Sequence, residues 1–127
     1  MVFKLKTSKR TMEIFKEIEK REHLQPFILA KIALSLSIKD NYTYDGGDLD
    51  DTLGLELNRQ TITNEYDTLY KCLIQMNEKK HIPEEKYFPT YVKAYLDNGA
   101  QLLEREYKYS SASDIYTHLL LKLDESI

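Results

Sequence analysis

The chain has 127 residues, of which 42% are hydrophobic and 31% are charged, and its formal net charge is −3. This length suits one domain with a hydrophobic core and leaves no room for a separate catalytic module. The negative net charge argues against a protein that binds nucleic acid with its whole surface. Cys72 is the only cysteine, which excludes an internal disulfide, and the longest apolar run, Phe27 to Ile38, is too short to span a bilayer. We therefore expect a cytoplasmic protein without a membrane segment or a leader peptide.

The charges are distributed unevenly along the chain. Residues 1–40 contain nine Lys or Arg and five Asp or Glu, whereas the remaining 87 residues contain nine and sixteen. A local basic face can attract a polyanion even when the whole chain is acidic, so this asymmetry favours a partner such as DNA at the N-terminal end.

Residues 1–38 are the first of three predicted parts of a single domain over residues 1–127. In the segment from Val2 to Lys6 apolar and basic residues alternate, which predicts a short strand with Leu5 on a buried face and Lys4 and Lys6 on the opposite one. Thr7 and Ser8 then offer hydroxyl groups to the free N–H groups of a helix start. The apolar residues of that first helix recur on one face: Met12, Ile14, Phe15 and Ile18.

A second helix is predicted from Pro26 to about Ile38, because proline is well suited to the first turn of a helix. This helix is apolar nearly all round, so it must be buried on more than one side. A lone short strand is marginal in water. We therefore expect two chains to pair their strands and pack their second helices together, as in ribbon-helix-helix proteins, giving a homo-oligomer (dimer or tetramer). The alternative is a strand and helical hairpin that serves only oligomerisation.

The second part, residues 39–57, contains turn-forming residues and is predicted to be an acidic surface loop. Its carboxylates would repel a DNA backbone, so we expect it to lie away from the basic face. The aspartates of this loop are Asp40, Asp45, Asp48, Asp50 and Asp51.

The third part, residues 58–127, is predicted to hold two to three further helices, which makes the fold mainly α. The next helix is expected to bury one stripe, with Cys72 beside it as a small core residue. A break follows at residues 81–85, and another helix begins near Pro89. Gly99 within it indicates either a close approach of a neighbouring helix, which we favour, or a break at Asp97-Asn98. A short last helix contains Ile115, Leu119 and Leu120. The buried stripe is predicted to comprise Tyr66, Leu69, Tyr70, Leu73 and Met76.

The candidate DNA-binding residues form what we call the basic set. Lysine suits sequence-independent contact with phosphates, whereas base reading would favour Arg, Asn or Gln. The alternative interpretation is a solvated helix face on which Glu13, Glu17 and Glu19 pair with these cations. The basic set is Lys4, Lys6, Lys9, Arg10, Lys16 and Lys20.

Residues 54–67 follow the pattern Gly-x-Glu-φ-Asn-Arg-x-Thr-φ-Thr-x-Glu-Tyr-Asp, where φ is apolar. This string resembles the signature of the DndE family, the small subunit of the bacterial DNA sulfur modification (phosphorothioation) system. The segments Thr7 to Thr11, Ala30 to Ser37 and Asn98 to Leu103 are also similar to that family, so the resemblance covers roughly residues 5–105.

The resemblance implies a non-enzymatic subunit that has no cofactor. It also implies that this subunit binds DNA, including nicked duplex. It also implies other Dnd proteins as partners, which carry the cysteine desulfurase and nucleotide-dependent steps. A sulfur-transfer role for Cys72 would need an activating cation or a helix N-terminus, and its predicted place is mid-helix. Two alternatives remain: a ribbon-helix-helix transcriptional regulator or antitoxin, and an assembly subunit that makes no DNA contact.

Overall fold

The structure of the chain is a computed structural model that describes residues 4–109. Helices dominate and one two-stranded sheet is present, so the predicted mainly α class with a short N-terminal strand is confirmed. The predicted last helix with Ile115, Leu119 and Leu120 lies outside the described residues. The elements are β1 (Lys4–Lys6), α1 (Lys9–Glu22), α2 (Pro26–Lys39), β2 (Glu56–Asn58), α3 (Arg59–Ile62), a 3-10 turn (Asn64–Tyr66), α4 (Asp67–Glu78), α5 (Glu84–Lys86), a π-type turn (Tyr87–Val92) and α6 (Lys93–Tyr109).

The strand β1 finds its partner within the same chain. It pairs antiparallel with β2, with Leu5 opposite Leu57, and both leucines are buried. The expected pairing of two ribbons from two chains is therefore not the arrangement seen, because β2 supplies the missing strand. The likeness to ribbon-helix-helix proteins depended on that pairing and is not supported.

The helix α1 forms where its sequence predicts it. Ser8 caps its start, its hydroxyl accepting a hydrogen bond from the Thr11 N–H at 3.1 Å. Ile14, Phe15 and Ile18 are buried on one face, and the helix ends at His23, whose φ of 58° is left-handed. The opposite face of α1 is thereby left to solvent.

The centre of the core is the contact between α2 and α6. The side chains of Leu29, Ala33 and Leu34 are buried in it, and α6 makes the most extensive contact of any element with α2. Much of the apolar surface of α2 is thus buried inside one chain, while Phe27, Ile28 and Ile32 stay half-buried. The packing of second helices from two chains stays a prediction.

Gly99 lies in α6 where this helix touches α2. A Cβ at this position would overlap the backbone of Ala33, including its carbonyl oxygen. The helix continues through the glycine from Lys93 to Tyr109, so the predicted close approach of a neighbouring helix is confirmed.

Gly99→Ala is expected to destabilise the fold by about 1 to 3 kcal/mol, because the cost of overpacking exceeds the gain of about 1 kcal/mol in helix propensity. Urea unfolding measures the effect. Gly47→Ala is the matched control, since a Cβ there meets only the side chain of Asp45 in an exposed loop. Equal unfolding midpoints for the two variants would contradict the close approach.

The predicted buried stripe of α4 is wrong at three of its five positions, while Tyr70 and Leu73 are partly buried. Tyr66, Leu69 and Met76 are 58%, 53% and 70% exposed, and Ile74 is the buried residue of this helix. Cys72 is also exposed, so the expectation of a small core cysteine is wrong as well. The periodicity identified an apolar face, but the described chain covers only part of it.

The last helical segment begins earlier than predicted. Helical structure starts at Glu84 rather than near Pro89, and Pro89 lies inside the π-type turn. Proline has no N–H to donate, so a widened turn accommodates it within the helical run.

No helix within residues 4–109 has the length and hydrophobicity that a membrane crossing requires.

Candidate nucleic-acid interface

The outward face of the sheet carries Lys4 and Lys6. Both are exposed, while Leu5 between them is buried, as the alternation predicts. Their cross-strand neighbours are Asn58 and Glu56, and Lys4 Nζ lies 3.5 Å from Glu56 Oε1 in an exposed ion pair. Such a pair is weak in water, so Lys4 remains able to exchange this carboxylate for a phosphate.

Three further lysines of the basic set lie along one stripe of α1. Lys9 and Lys16 are seven residues apart, and Lys16 and Lys20 are four apart, so the three share a face. All three are exposed. The carboxylate of Glu17 pairs with Arg21 at 3.5 Å rather than with one of these lysines.

Arg10 is separated from this stripe. Its guanidinium forms an ion pair with Glu104 on α6, so it lies on the side of α1 that faces α6. The structure therefore divides the basic set: Lys9, Lys16 and Lys20 share a stripe, Lys4 and Lys6 share the sheet face, and Arg10 is committed to a contact within the chain.

The N-terminus of α1 is occupied by carboxylates of the chain itself. Asp97 Oδ1 accepts hydrogen bonds from the Ser8 N–H at 3.1 Å and from the Thr11 hydroxyl at 2.6 Å. The carboxylate of Asp51 accepts from the Lys9 N–H at 3.1 and 3.2 Å. A helix start attracts anions, and here that capacity is already used. Contact with a phosphate at this end would therefore rely on side-chain ammonium groups.

Lys93 connects the elements beneath the sheet face. Its side chain is 5% exposed, and its Nζ donates to the backbone oxygens of Lys6 and Asp51, both at 2.8 Å, and to Asp97 Oδ2 at 3.0 Å. Three donors meet three acceptors, so the buried charge is paired and fully hydrogen-bonded. Lys93 thus positions the strand that carries Lys4 and Lys6. The sequence analysis missed it, and its four-residue spacing from Asp97 was the available signal.

The acidic loop, residues 40–55 in the structure, does not lie away from the basic face, and this expectation is wrong. Leu49 and Thr52 line the same surface depression as Lys4 and Lys6. Hydrogen bonds hold the loop there, including one from the Gly54 N–H to the Thr7 oxygen at 2.9 Å. The expected repulsion of DNA does not set the position of the loop, because these hydrogen bonds and the one from the Lys9 N–H to the Asp51 carboxylate hold it there.

Two residues of the string that carries the family resemblance, Arg59 and Asp67, form with Lys71 and Glu84 what we call the Arg59 cluster. Arg59 Nε donates to Asp67 Oδ1 at 3.0 Å, its Nη2 contacts the other oxygen of the same carboxylate, and its Nη1 lies 2.7 Å from Glu84 Oε1. The guanidinium carbon stands 5.0 Å from the centre of the Tyr87 ring, a cation–π distance.

Two hydrogen-bonded residues of the same string complete this junction. The side chain of Asn58 caps α3 by accepting from the Gln60 N–H at 2.9 Å. The Thr63 hydroxyl lies 2.7 Å from Asp67 Oδ1. The most specific part of the resemblance therefore stabilises the turn between α3 and α4.

The electrostatics of the cluster favour the charged forms. Burial alone would raise the pKa of Asp67, but hydrogen bonds from Arg59 and Thr63 outweigh it and hold this pKa below its ordinary value. The contacts with Arg59 and Lys71 likewise lower the pKa of Glu84. The hydrogen bond with Asp67 is the main reason that the pKa of Arg59 is raised.

Comparison with known proteins assigns the chain to a family. The model of the family described as DNA sulphur modification protein DndE matches residues 4–111, which include every residue of the basic set and of the Arg59 cluster. No curated protein matches the chain. Because the family model covers most of the 127 residues, the chain belongs to the DndE family of DNA sulfur modification proteins.

Proposed function

We propose that this protein is a DNA-binding, non-catalytic subunit of the DNA sulfur modification machinery. Its lysines at the N-terminal end contact phosphates, including those of nicked duplex, while other Dnd proteins carry out the chemistry. The observation that carries the proposal is the position of Lys4, Lys6, Lys9, Lys16 and Lys20, all exposed on the sheet face or on one stripe of α1.

The pairing of charges supports phosphate contact over a merely solvated surface. Within the described residues, Lys6, Lys9, Lys16 and Lys20 make no ion pair, and Lys4 makes only the exposed one with Glu56. An unpaired ammonium group can release counterions from DNA without first breaking a contact inside the protein. Lysine also favours backbone contact over base reading.

The experiment that tests the proposal is binding of the wild-type chain to intact, nicked and single-stranded DNA over a salt series. The logarithm of the affinity is expected to fall linearly with that of the salt concentration, with a slope on the order of −3 to −5 for duplex if three to five phosphates are contacted. A chain that no DNA retains at the lowest salt would be an assembly subunit. Discrimination of about a thousandfold or more between duplex sequences would instead favour a regulator.

The acidic loop is expected to weaken this binding. Asp48 and Asp50 are exposed on either side of Leu49, which shares a surface depression with Lys4 and Lys6. Their carboxylates oppose an approaching phosphate, and the effect is screened by salt.

Replacing both Asp48 and Asp50 with asparagine is expected to raise the affinity for DNA about two- to tenfold at low salt. Fluorescence anisotropy with a labelled duplex measures it. The matched control replaces Glu65 and Glu85 with glutamine, which removes the same charge from exposed positions on other elements. An equal gain in both variants would show that net charge alone matters, and no gain would place the DNA elsewhere.

A further inference from the structure

The strand β1 is paired along only one of its two edges. It lies antiparallel to β2, and just beyond the strands the Thr7 N–H donates to the Leu55 oxygen at 2.8 Å in the same register. In an antiparallel pair the backbone groups of alternate residues point to opposite edges. The backbone of Leu5 therefore faces β2, as that of Thr7 does, whereas the backbones of Lys4 and Lys6 face the other edge, which we call the free edge.

Three polar backbone groups of the free edge are unused within the described chain. The oxygen of Lys6 accepts a hydrogen bond from Lys93 Nζ at 2.8 Å, and the two other hydrogen bonds of this ammonium group go to Asp51 and Asp97. The Lys6 N–H and the N–H and oxygen of Lys4 have no hydrogen-bond partner among residues 4–109. An unpaired strand edge of this kind is a template for another extended chain.

A surface depression of about 350 Å³ beside β1 gives an added strand room. Leu5, Leu49 and Pro89 contribute apolar side chains to its lining, and Lys4 and Lys6 line it from the outward face of the sheet, where both are exposed. A strand added here places one side chain next to Leu5 and the two flanking ones next to the lysines, because side chains alternate between faces. The depression therefore suits an apolar residue between two acidic ones.

We propose that the free edge binds an extended segment of a partner protein in which one apolar residue stands between two carboxylate residues. The segment adds antiparallel to β1 as a third strand, so that backbone hydrogen bonds give affinity and alternate side chains give specificity. Its first carboxylate residue lies opposite Lys6 and its second opposite Lys4, and opposite charges stabilise such cross-strand pairs. The apolar residue between them lies opposite Leu5.

Charge and hydrogen bonding favour this occupant over two others. A second copy that paired its own β1 antiparallel here would set lysine opposite lysine, which is destabilising. A phosphate offers only acceptor oxygens, whereas the Lys4 oxygen requires a donor. The inference goes beyond the proposed function and does not rest on it, because the added strand uses backbone groups that phosphate contacts by lysine side chains leave free.

Fluorescence anisotropy of a labelled peptide with the full wild-type chain tests the charge pattern. The probe has blocked ends and contains Glu-Val-Glu between two threonines on each side. A probe with Lys-Val-Lys in the same frame is expected to bind at least about tenfold more weakly, because both cross-strand pairs then set like charges opposite each other. Equal binding of the two probes would overturn the proposal.

A second pair of probes separates strand addition from general attraction between charges. In the antiparallel arrangement the N–H of the second glutamate donates to the Lys4 oxygen, whereas the N–H of the valine points away from β1. Methylation of that glutamate nitrogen is expected to weaken binding at least about tenfold, through the lost hydrogen bond and the added bulk. Methylation of the valine nitrogen leaves the same charge and is the matched control, which should bind like the parent probe.

Two variants of the protein test the same edge from the other side. Lys6→Pro removes the N–H of the free edge and Lys6→Gln keeps it, while both remove the charge. A sheet edge accepts proline where the N–H faces outward, so the two variants are expected to have similar urea unfolding midpoints. Lys6→Pro should bind the parent probe at least about fivefold more weakly than Lys6→Gln. If Lys6→Pro does not fold, the methylated probes still decide the question on the wild type.

Amide hydrogen exchange followed by NMR locates the added strand. The parent probe should slow the exchange of the Lys4 and Lys6 amides and leave that of Leu5, which is already bonded to β2, unchanged. Equal binding of the two methylated probes, or a bound probe that leaves the Lys6 amide unprotected, would overturn the proposal. A Lys6 amide that is already protected without the probe would overturn it too, because a second copy or another segment of the chain would then cover the edge.

Discussion

Replacing Lys4, Lys6 and Lys9 with glutamine is expected to weaken DNA binding at least about tenfold at low salt and to flatten the salt slope by about one unit per lysine. The three side chains are exposed at the N-terminal end of the chain. Glutamine removes the positive charge that releases counterions from DNA, but its side chain can still form hydrogen bonds. Anisotropy titrations at several salt concentrations measure both quantities.

The matched control replaces Lys80, Lys86 and Lys108, which are exposed on other parts of the chain, with glutamine. It removes the same net charge and is expected to change the affinity far less. Equal losses in the two triple variants would mean that DNA responds to total charge and not to this face. Undiminished binding of the first variant would favour an assembly subunit.

Arg59→Ala is expected to destabilise the fold by about 2 to 3 kcal/mol. This is less than the full cost of breaking a buried ion pair, because the partner carboxylates keep some contact with solvent. The side chain of Arg59 is 10% exposed, against 25% for Asp67 and 39% for Glu84. Its loss leaves both carboxylates without their main cation and removes packing against Tyr87. Urea unfolding at neutral pH measures the loss, and Arg105→Ala, at an exposed position of α6, serves as the control.

The pH dependence of this effect has a defined sign. The contacts with Arg59 lower the pKa values of Asp67 and Glu84 in the folded state. Their contribution to stability is present above the unfolded values of about 4 and is lost as the pH falls through the folded ones. The difference in unfolding free energy between wild type and Arg59→Ala should therefore shrink at acid pH. A constant difference would show that lost packing, rather than charge, causes the destabilisation.

The local features of the fold could be predicted because each depends on neighbouring residues. The alternation around Leu5, the Ser8 cap and the apolar face of α1 all result from a two-residue or a 3.6-residue period. Gly99 could be placed at a close approach because a glycine inside a helix needs a packing reason. These features position the lysines of the basic set, with Arg10 turned toward α6.

The partners of these elements could not be predicted from local patterns. The strand β2 has the same length and the same alternation as β1, but no local pattern shows that these two short segments, far apart in the chain, pair with each other. The apolar period of α4 shows which residues share a face but not whether another element covers it. The contacts of Lys93 with Lys6 and Asp51 join residues far apart in the chain, which no spacing rule detects.

The position of the acidic loop limits which groups at the start of α1 can contact DNA. The Asp51 carboxylate accepts from the Lys9 N–H, and Asp97 accepts from the Ser8 N–H, so the chain supplies its own anions at the start of α1. We therefore expect phosphate contacts to be made by long, exposed side chains, which tolerate different backbone geometries. Such contacts suit the proposed binding of DNA phosphates without sequence readout.

The most direct test of phosphate contact by the basic set is a lysine acetylation footprint, in which mass spectrometry measures how fast each lysine reacts with and without nicked duplex. We expect DNA to slow the acetylation of Lys4, Lys6, Lys9, Lys16 and Lys20, and to leave Lys80, Lys86 and Lys108 unchanged. Protection confined to the second group, or no protection of any lysine when the DNA is bound, would contradict the account.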